Sequence, residues 1–479
     1  MGNNPLSRRQ FLRNAVVGGT ALAVLPQILF HESIDAQIAN PWTEVMPQIL
    51  QRIKPPTFPQ RDFVITRFGA KPDGQAYATN AFKAAIDACN KAGGGRVIVP
   101  AGTFLTGPIH LKSNVNLVIS RGATVKFSQN PNDYLPAVFS RWEGVELLNY
   151  SPFVYARDQQ NIAITGEGTL DGQSDAEHWW PWNGRAAYGW KEGTPNQRAD
   201  RTRLMEMAES NVLVEQRLFG AGHYLRPQFI QPYHCQNVLI EGVSIVNSPM
   251  WELHPVLCTN VTIRNVRINS HGPNNDGCDP ESCSDVLIEG CDFNTGDDCI
   301  AIKSGRNADG RRLNMPTQNI IVRRCRMRDG HGGITVGSEI SGGVQNLFAE
   351  DCNLDSPNLD HALRVKNNAM RGGLLQDLHF RNIQVGQVAH AVITIDFNYE
   401  EGAKGNFVPV VRNYTVDKLT SSKSVHALDI QGLTGAPIYD LRLQDCTFEN
   451  VAEPNVVRNV RNATLENVRI NGKEITQIP

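Results

Sequence analysis

The chain lacks an excess of either charge. Its 46 lysines and arginines face 48 aspartates and glutamates, a formal net charge of −2. No broad basic field is available to draw in a polyanion, which excludes a nucleic-acid partner and leaves any acidic ligand to be held by local cations. The chain also lacks a second long apolar run. Beyond the uncharged stretch from Ala15 to Phe30, no segment could cross a membrane. A close Cys/His quartet is missing, so no metal and no cofactor are expected. The leucine and asparagine spacing of leucine-rich repeats is missing as well.

What is present first is an address. Ser7-Arg8-Arg9-Gln10-Phe11-Leu12 precedes the uncharged stretch, and residues 1–39 read as a twin-arginine-type export signal. The alternative is an N-terminal membrane anchor, although the glycines and proline of the stretch make a weak span. Cleavage would fall after Ala36 or Ala39, neither of which fits the small-residue rule well. Export would place the protein in the periplasm or outside the cell, where disulfides are allowed. Residues 40–60, with five prolines, read as a linker or extended arm, and 61–479 as one domain.

That domain carries a repeat. Its pattern is Asn or Asp, an aliphatic, any residue, an aliphatic, two polar residues, then a small or aliphatic residue. Copies begin at Asn237, Asn260, Asp285, Asn319, Asn346, Asp377, Asp440 and Asn462. Each unit is too short to bury its own apolar face, so neighbours must stack. Alternation such as Val286 with Ile288, or Ile320 with Val322, has the period of strands, and 41 glycines suit a turn-rich chain. The fold class is therefore all-β, a single-stranded parallel β-helix, right-handed by the usual crossover rule. A helix over Asn80–Ala92, closed by Gly93-Gly94-Gly95, would cap its open end. Six positions after each repeat start lie Val243, Val266, Cys291, Cys325, Cys352, Ile383, Cys446 and Val468. Cysteine exchanging with valine and isoleucine in one column is a core residue. The pairs Cys278/Cys283 and Cys235/Cys258 could bridge, and spacing leaves that open.

A second register runs through Leu253, Cys278, Ile300, Ile334 and Leu363. Two positions earlier come Trp251, Asp276, Asp298, Gly332 and His361, and one earlier still Asn275, Asp297 and His331. Coils lie ~4.8 Å apart, so Asp276, Asp297, Asp298 and His331 are expected in one place. Carboxylates so close cannot all ionise comfortably, and at least one pKa should rise. Strand parity alone would point Asp298 inward with Ile300, so either a bend near Gly296 intervenes or the register is off by one.

Asn274-Asn275-Asp276, Gly296-Asp297-Asp298, Gly330-His331-Gly332 and Arg364-Val365-Lys366, in this order, resemble glycoside hydrolase family 28, the polygalacturonases. The resemblance covers roughly residues 60–470 and leans toward bacterial exo-acting members through the long loops and Ser248–Leu257. It departs at Asn275, where threonine is usual, and at Val365, where isoleucine is. It implies Asp297 as the general acid, Asp276 and Asp298 as holders of the attacking water, and His331 as the group that tunes the acid. Arg364 and Lys366 would grip a galacturonate carboxylate, and two positions apart on a strand they share a face. An inverting reaction would place acid and base ~6.5–9.5 Å apart.

Asn274, Lys303, Arg306 and Trp251 are further candidates for sugar contact, with His254 and Arg226 behind them. Between Gln173 and Leu225 an insertion carries Trp179, Trp180, Trp182 and Trp190, which either stack on sugars or pack the loop down. The expected partner is an acidic pectic polysaccharide or oligogalacturonate, acted on by a monomer. Rival readings are a hydrolase for another pectic backbone such as rhamnogalacturonan, a pectate lyase, and a non-catalytic polysaccharide-binding solenoid.

Overall fold

A computed structural model describes residues 40–478. The export-signal reading of residues 1–39 lies outside the described residues, and no described helix is long and apolar enough to cross a membrane. From Asp62 onward the chain winds into a parallel β-helix. One long face is built by strands such as Gln236–Glu241, Thr259–Arg264, Ser284–Glu289, Thr317–Arg323 and Val344–Glu350. They pair in strict register, Val238 with Val261, then Val286, Ile320 and Leu347. Each coil returns on a second face through Ile300–Ile302, Gly330–Val336, Leu359–Lys366, Ala391–Asp396 and His426–Gln431. A final antiparallel hairpin pairs Val468 with Ile475.

The repeat has a backbone cause. Asn237, Asn260, Asp285, Asn319, Asn346, Asp377, Asp440 and Asn462 all adopt left-handed φ, between 56° and 60°. Asparagine and aspartate tolerate that conformation better than other side-chain-bearing residues. Their side chains then bond from coil to coil: Asn260 Nδ2 donates to Asn237 Oδ1 (2.7 Å), Asn237 to Asn161 (2.8 Å) and Asn161 to Asn114 (2.9 Å). Further along, Asn346 donates to Asn319 (3.0 Å) and Asn462 to Asp440 (3.1 Å). The column six positions on is interior, none of its eight members more than 2% exposed. All ten cysteines are buried free thiols, so neither Cys278/Cys283 nor Cys235/Cys258 is bridged.

Two helices fix the N-terminal part. The capping helix runs Thr79–Lys91 and buries Ala81, Phe82, Ala85, Ile86 and Cys89, one apolar stripe, onto the first coil. The second is a correction. Residues 40–60 are not a free linker: a short turn over Pro41–Val45 leads into a helix, Met46–Arg52. Met46, Ile49 and Ile53 pack on Leu287, Ile321 and Phe348, which stack in one column of the long face. Arg52 pairs with Asp285 at 2.7 Å, and the Lys54 backbone N–H and C=O bond Asn260 at 2.9 and 2.8 Å. Apolar residues on an outer strand face need a cover, and the helix is that cover.

The ladder predicts a ranked pair of variants. Asn260→Ala should cost about 1–3 kcal/mol, from left-handed strain plus lost hydrogen bonds. Asn260→Gly should cost less, because only the bonds are lost. Equal losses in urea unfolding would show that backbone conformation does not set this position.

Candidate active site

The second register holds residue for residue: Leu253 pairs with Cys278, Cys278 with Ile300, Ile300 with Ile334 and Ile334 with Leu363. Gly332 pairs with His361 as expected. The bend is also there. Residues 296–297 leave strand geometry after Asp292–Thr295, and the next strand starts only at Ile300. Asp298 therefore escapes strand parity and faces the same side as Thr335, Arg364 and Lys366. Asp276, Asp297 and Asp298 converge, one oxygen from each lying within 4.8 Å of the others. That is closer than the ~6.5–9.5 Å separation expected for inversion. Adjacent coils ~4.8 Å apart account for that closeness.

Each carboxylate has its own environment. His331 Nδ1 lies 3.0 Å from Asp297 Oδ1. Lys366 Nζ donates to Asp298 Oδ2 at 2.5 Å, Thr335 Oγ1 to Asp298 Oδ1 at 3.1 Å, and Arg364 Nη1 lies 3.5 Å from that oxygen. Among the described residues the one cation paired with Asp276 is Lys303, at 3.5 Å, and that ammonium is shared with Asp279 (3.4 Å) and Glu339 (3.3 Å). Burial pushes the Asp276 carboxyl well above the usual range, and the charges of Asp297, Asp279 and Asp298 add to it. Burial pushes Asp297 up too, but the hydrogen bond and charge of His331 overcome it and hold that carboxyl below the usual range. The same hydrogen bond and the Asp297 charge push the half-exposed His331 up to about 9.

The motifs around these groups are space-making. A Cβ on Gly332 would collide with Thr335 Oγ1 and lie 2.7 Å from Asp298 Oδ1, and one on Gly330 would strike the Asp297 carbonyl. Asn275, where threonine was the usual residue, is fully buried. Its Oδ1 accepts from Ser270 Oγ and the Gly272 N–H, both at 2.7 Å, and its Nδ2 donates to the Ser248 and Met250 carbonyls at 3.2 Å. It locks the turn that delivers Asp276.

Asp276, Asp297 and His331 border a cleft of about 470 Å³, lined also by Asn274, Lys303, Arg306, Trp251, Arg364 and Lys366. Several roles change here. Lys303 is 2% exposed and serves three carboxylates, and Arg306 is tied to Glu143 (3.4 Å), Glu339 (3.3 Å) and Glu400 (3.3 Å). Both are internal counter-ions rather than free sugar grips. Trp251 is 3% exposed, with Lys303 Nζ 4.3 Å over its ring and its edge against His254. It braces the floor instead of offering a stacking face. Asn274 Oδ1 accepts from Arg226 at 2.7 Å and Asn183 at 3.3 Å. Arg226 is buried among carbonyls, and His254 pairs with Glu281 at 2.7 Å, itself 3.1 Å from Arg141. Arg226 and His254 are fully buried, whereas Asn274 keeps a place in the cleft lining.

Of the two courses open to the insertion's tryptophans, the structure shows the packing one. Trp179 packs against Tyr134, Phe153 and Trp182, and Trp180 donates to the Ser248 carbonyl at 2.8 Å. Trp190 donates to Thr194 O at 3.0 Å. The tryptophans pin the loop, while Asn183, Arg185, Tyr188, Gln197, Arg198 and Arg201 line the cleft. From the far side Glu339, Tyr399 and Glu400 join them. No sequence motif marked these residues, because the loops that carry them fall outside the repeat.

Chemically, the cleft offers a proton donor, carboxylates able to orient a water, and cations for an anionic ligand. The three aspartates could also hold a divalent ion, but Lys366 and Lys303 already neutralise two of them. The His331–Asp297 pair predicts a titration. The raised pKa means the imidazolium, which would ordinarily be lost near pH 6.5, is retained above that and lost only as pH rises through about 9. In the Asp297→Asn variant the His331 ring resonances should titrate near the ordinary 6.5. An unchanged midpoint by NMR would show that Asp297 is not the cause.

Comparison with known proteins agrees with this geometry. Residues 220–469 match the family model described as Glycosyl hydrolases family 28, and residues 63–130 match Rhamnogalacturonase A/epimerase, pectate lyase-like. The structure of a hyperthermoactive exopolygalacturonase from Thermotoga maritima is 48% identical, covering 90% of this chain and 96% of that one, with a TM-score of 0.87. A probable polygalacturonase of Vitis vinifera is 28% identical, covering 81% of this chain and 74% of the relative. An exo-poly-alpha-D-galacturonosidase of Dickeya chrysanthemi is 26% identical, covering 86% of this chain and 74% of the relative. With the family model spanning more than half its length, and with Asp276 and Asp297 lining the cleft and Asp298 buried beside them, this chain belongs to glycosyl hydrolases family 28, and it is a glycosidase.

Proposed function

We propose that this glycosidase hydrolyses α-1,4-galacturonosyl linkages of polygalacturonate, releasing residues from a chain end. The observation that carries the reading is the three-aspartate cluster set between His331 on one side and Arg364 with Lys366 on the other. Similarity to exo-acting relatives from Thermotoga maritima and Dickeya chrysanthemi supports end-wise action. So does the insertion, whose Asn183 reaches Asn274 at the edge of the cleft. The twin-arginine-type N-terminus supports an exported enzyme, and we take it to act as a monomer.

In this mechanism Asp297 protonates the glycosidic oxygen, while Asp276 and Asp298 hold the attacking water. At rest the cluster's proton belongs on Asp276, the member with the weakest cationic support. A single proton passing from Asp276 to Asp297 leaves an acid facing the leaving oxygen and a base facing the water. Both changes follow from one short transfer, and the cluster titrates as a unit. Direct displacement by water, with inversion, fits Asp298 better than covalent attack, because Lys366, Thr335 and Arg364 engage both its oxygens. Arg364 keeps a role in gripping a sugar carboxylate. Lys366 acts first on Asp298, which revises its role as a simple substrate grip.

The test is incubation with polygalacturonate, followed by chromatography and NMR of the first product. Mono- or digalacturonate appearing first as the β-anomer is expected. Oligomers, α-anomer first, or ultraviolet-absorbing unsaturated ends would each overturn part of the reading, the last in favour of a lyase. Asp297→Asn should lose ~10²–10⁴-fold in kcat, the usual scale of general acid help, and full activity would refute that role. Lys366→Ala should lower kcat more than it raises KM. The reverse pattern would return Lys366 to substrate binding.

A further inference from the structure

Among the cations that line the cleft, most are already matched. Arg201 holds Glu143 at 2.7 Å, Arg306 holds three glutamates, Lys303 serves buried carboxylates, and Arg364 and Lys366 address Asp298. Two are not. Arg198 bonds the Gly184 carbonyl and stands 5.1 Å over the Trp190 ring, with no carboxylate partner among the described residues. Arg185 is exposed at the cleft wall with no ion pair or side-chain hydrogen bond among the described residues. Arg198 also opens the helix Arg198–Glu209, whose N-terminal end adds partial positive charge to the same wall.

Their position matters. Asn183, two residues before Arg185, bonds Asn274, two residues before Asp276. The insertion therefore meets the cleft on the coil of Asp276. Arg364 enters from the coil of His361, three coil steps farther along the register through Asp298 and Gly332, about 14 Å at ~4.8 Å per step. Two cations with no carboxylate partner among the described residues thus stand on one side of the aspartates and Arg364 on the other. A chain of charged sugars lying across the aspartates would present carboxylates to both.

We infer that Arg185, supported by Arg198, forms a second carboxylate-recognition site on the insertion side of the scissile bond, so that the enzyme requires an unesterified acid in the sugar bound there. The inference rests on the galacturonate reading above and adds a specificity determinant to it. Water does not compete well with a guanidinium fork for a carboxylate in a partly enclosed wall, whereas a methyl ester offers neither the charge nor the second strong acceptor. Loss of such a contact is felt mainly in binding, because it is made equally in ground and transition states.

The test uses trigalacturonate as free acid and as methyl ester, with the full-length enzyme. Arg185→Ala should raise KM for the free acid about tenfold or more while kcat stays within about threefold. The preference for free acid over ester should shrink by the same factor, the salt dependence of KM should weaken, and Arg185→Lys should restore part of the loss. Thermal stability should not change, since Arg185 holds nothing in the fold. Arg198→Ala should act in the same direction but also loosen its own loop. If Arg185→Ala keeps both the KM and the ester discrimination of the parent, the site does not exist. If the parent itself fails to hydrolyse the free acid, the galacturonate reading fails instead.

Discussion

One backbone step governs this molecule: the left-handed residue with which each coil enters the long face. Left-handed φ is costly for most side chains, yet it must recur at every coil for the chain to turn at the same place. Asparagine and aspartate meet that need and repay part of the strain by bonding to the equivalent residue one coil away. Because the step is repeated at a fixed point, every later position falls into register. The interior column of valine, isoleucine and cysteine and the cluster at Asp276, Asp297 and Asp298 are both consequences of that phase lock.

Charge is handled by the opposite logic. Where the ladder is uniform, the cleft is deliberately uneven. Asp298 is over-supplied with cations, Asp297 shares one histidine, and Asp276 is left with a fraction of one lysine. Bringing three acids together in partial burial would be prohibitive if all had to carry charge. Unequal support makes the arrangement tolerable, because it decides which of them gives way. The deeper layer of Arg141, Glu281, His254, Lys303 and Glu339 extends the pattern, since each buried charge there touches an opposite one.

Much of this was legible in the sequence, for a physical reason. Solenoid contacts are made between neighbouring coils at fixed offsets, so Leu253, Cys278, Ile300, Ile334 and Leu363 could be stacked by counting alone. The bend that releases Asp298 was one of two outcomes parity allowed before it was seen. What counting could not reach lies off the repeat. The insertion's tryptophans turned out to pin it to the solenoid, Trp179 within the main core, and its arginines line the cleft. The proline-rich arm looked unattached because its partners Leu287, Ile321 and Phe348 read as ordinary strand residues. Lys303 and Trp251 shared columns with useful residues, but a column gives no measure of exposure, and both proved to be occupied with each other.

Gly332 shows what an absent side chain can accomplish. Coil spacing quantises the distances available to a solenoid, so groups two coils apart start roughly 10 Å from one another. A bulky residue on the intervening rung would keep them strangers. With that tread removed, Arg364 passes over it toward Asp298, and two non-adjacent coils become electrostatic neighbours. The architecture gains a contact its own ruler does not offer, by leaving one mark blank.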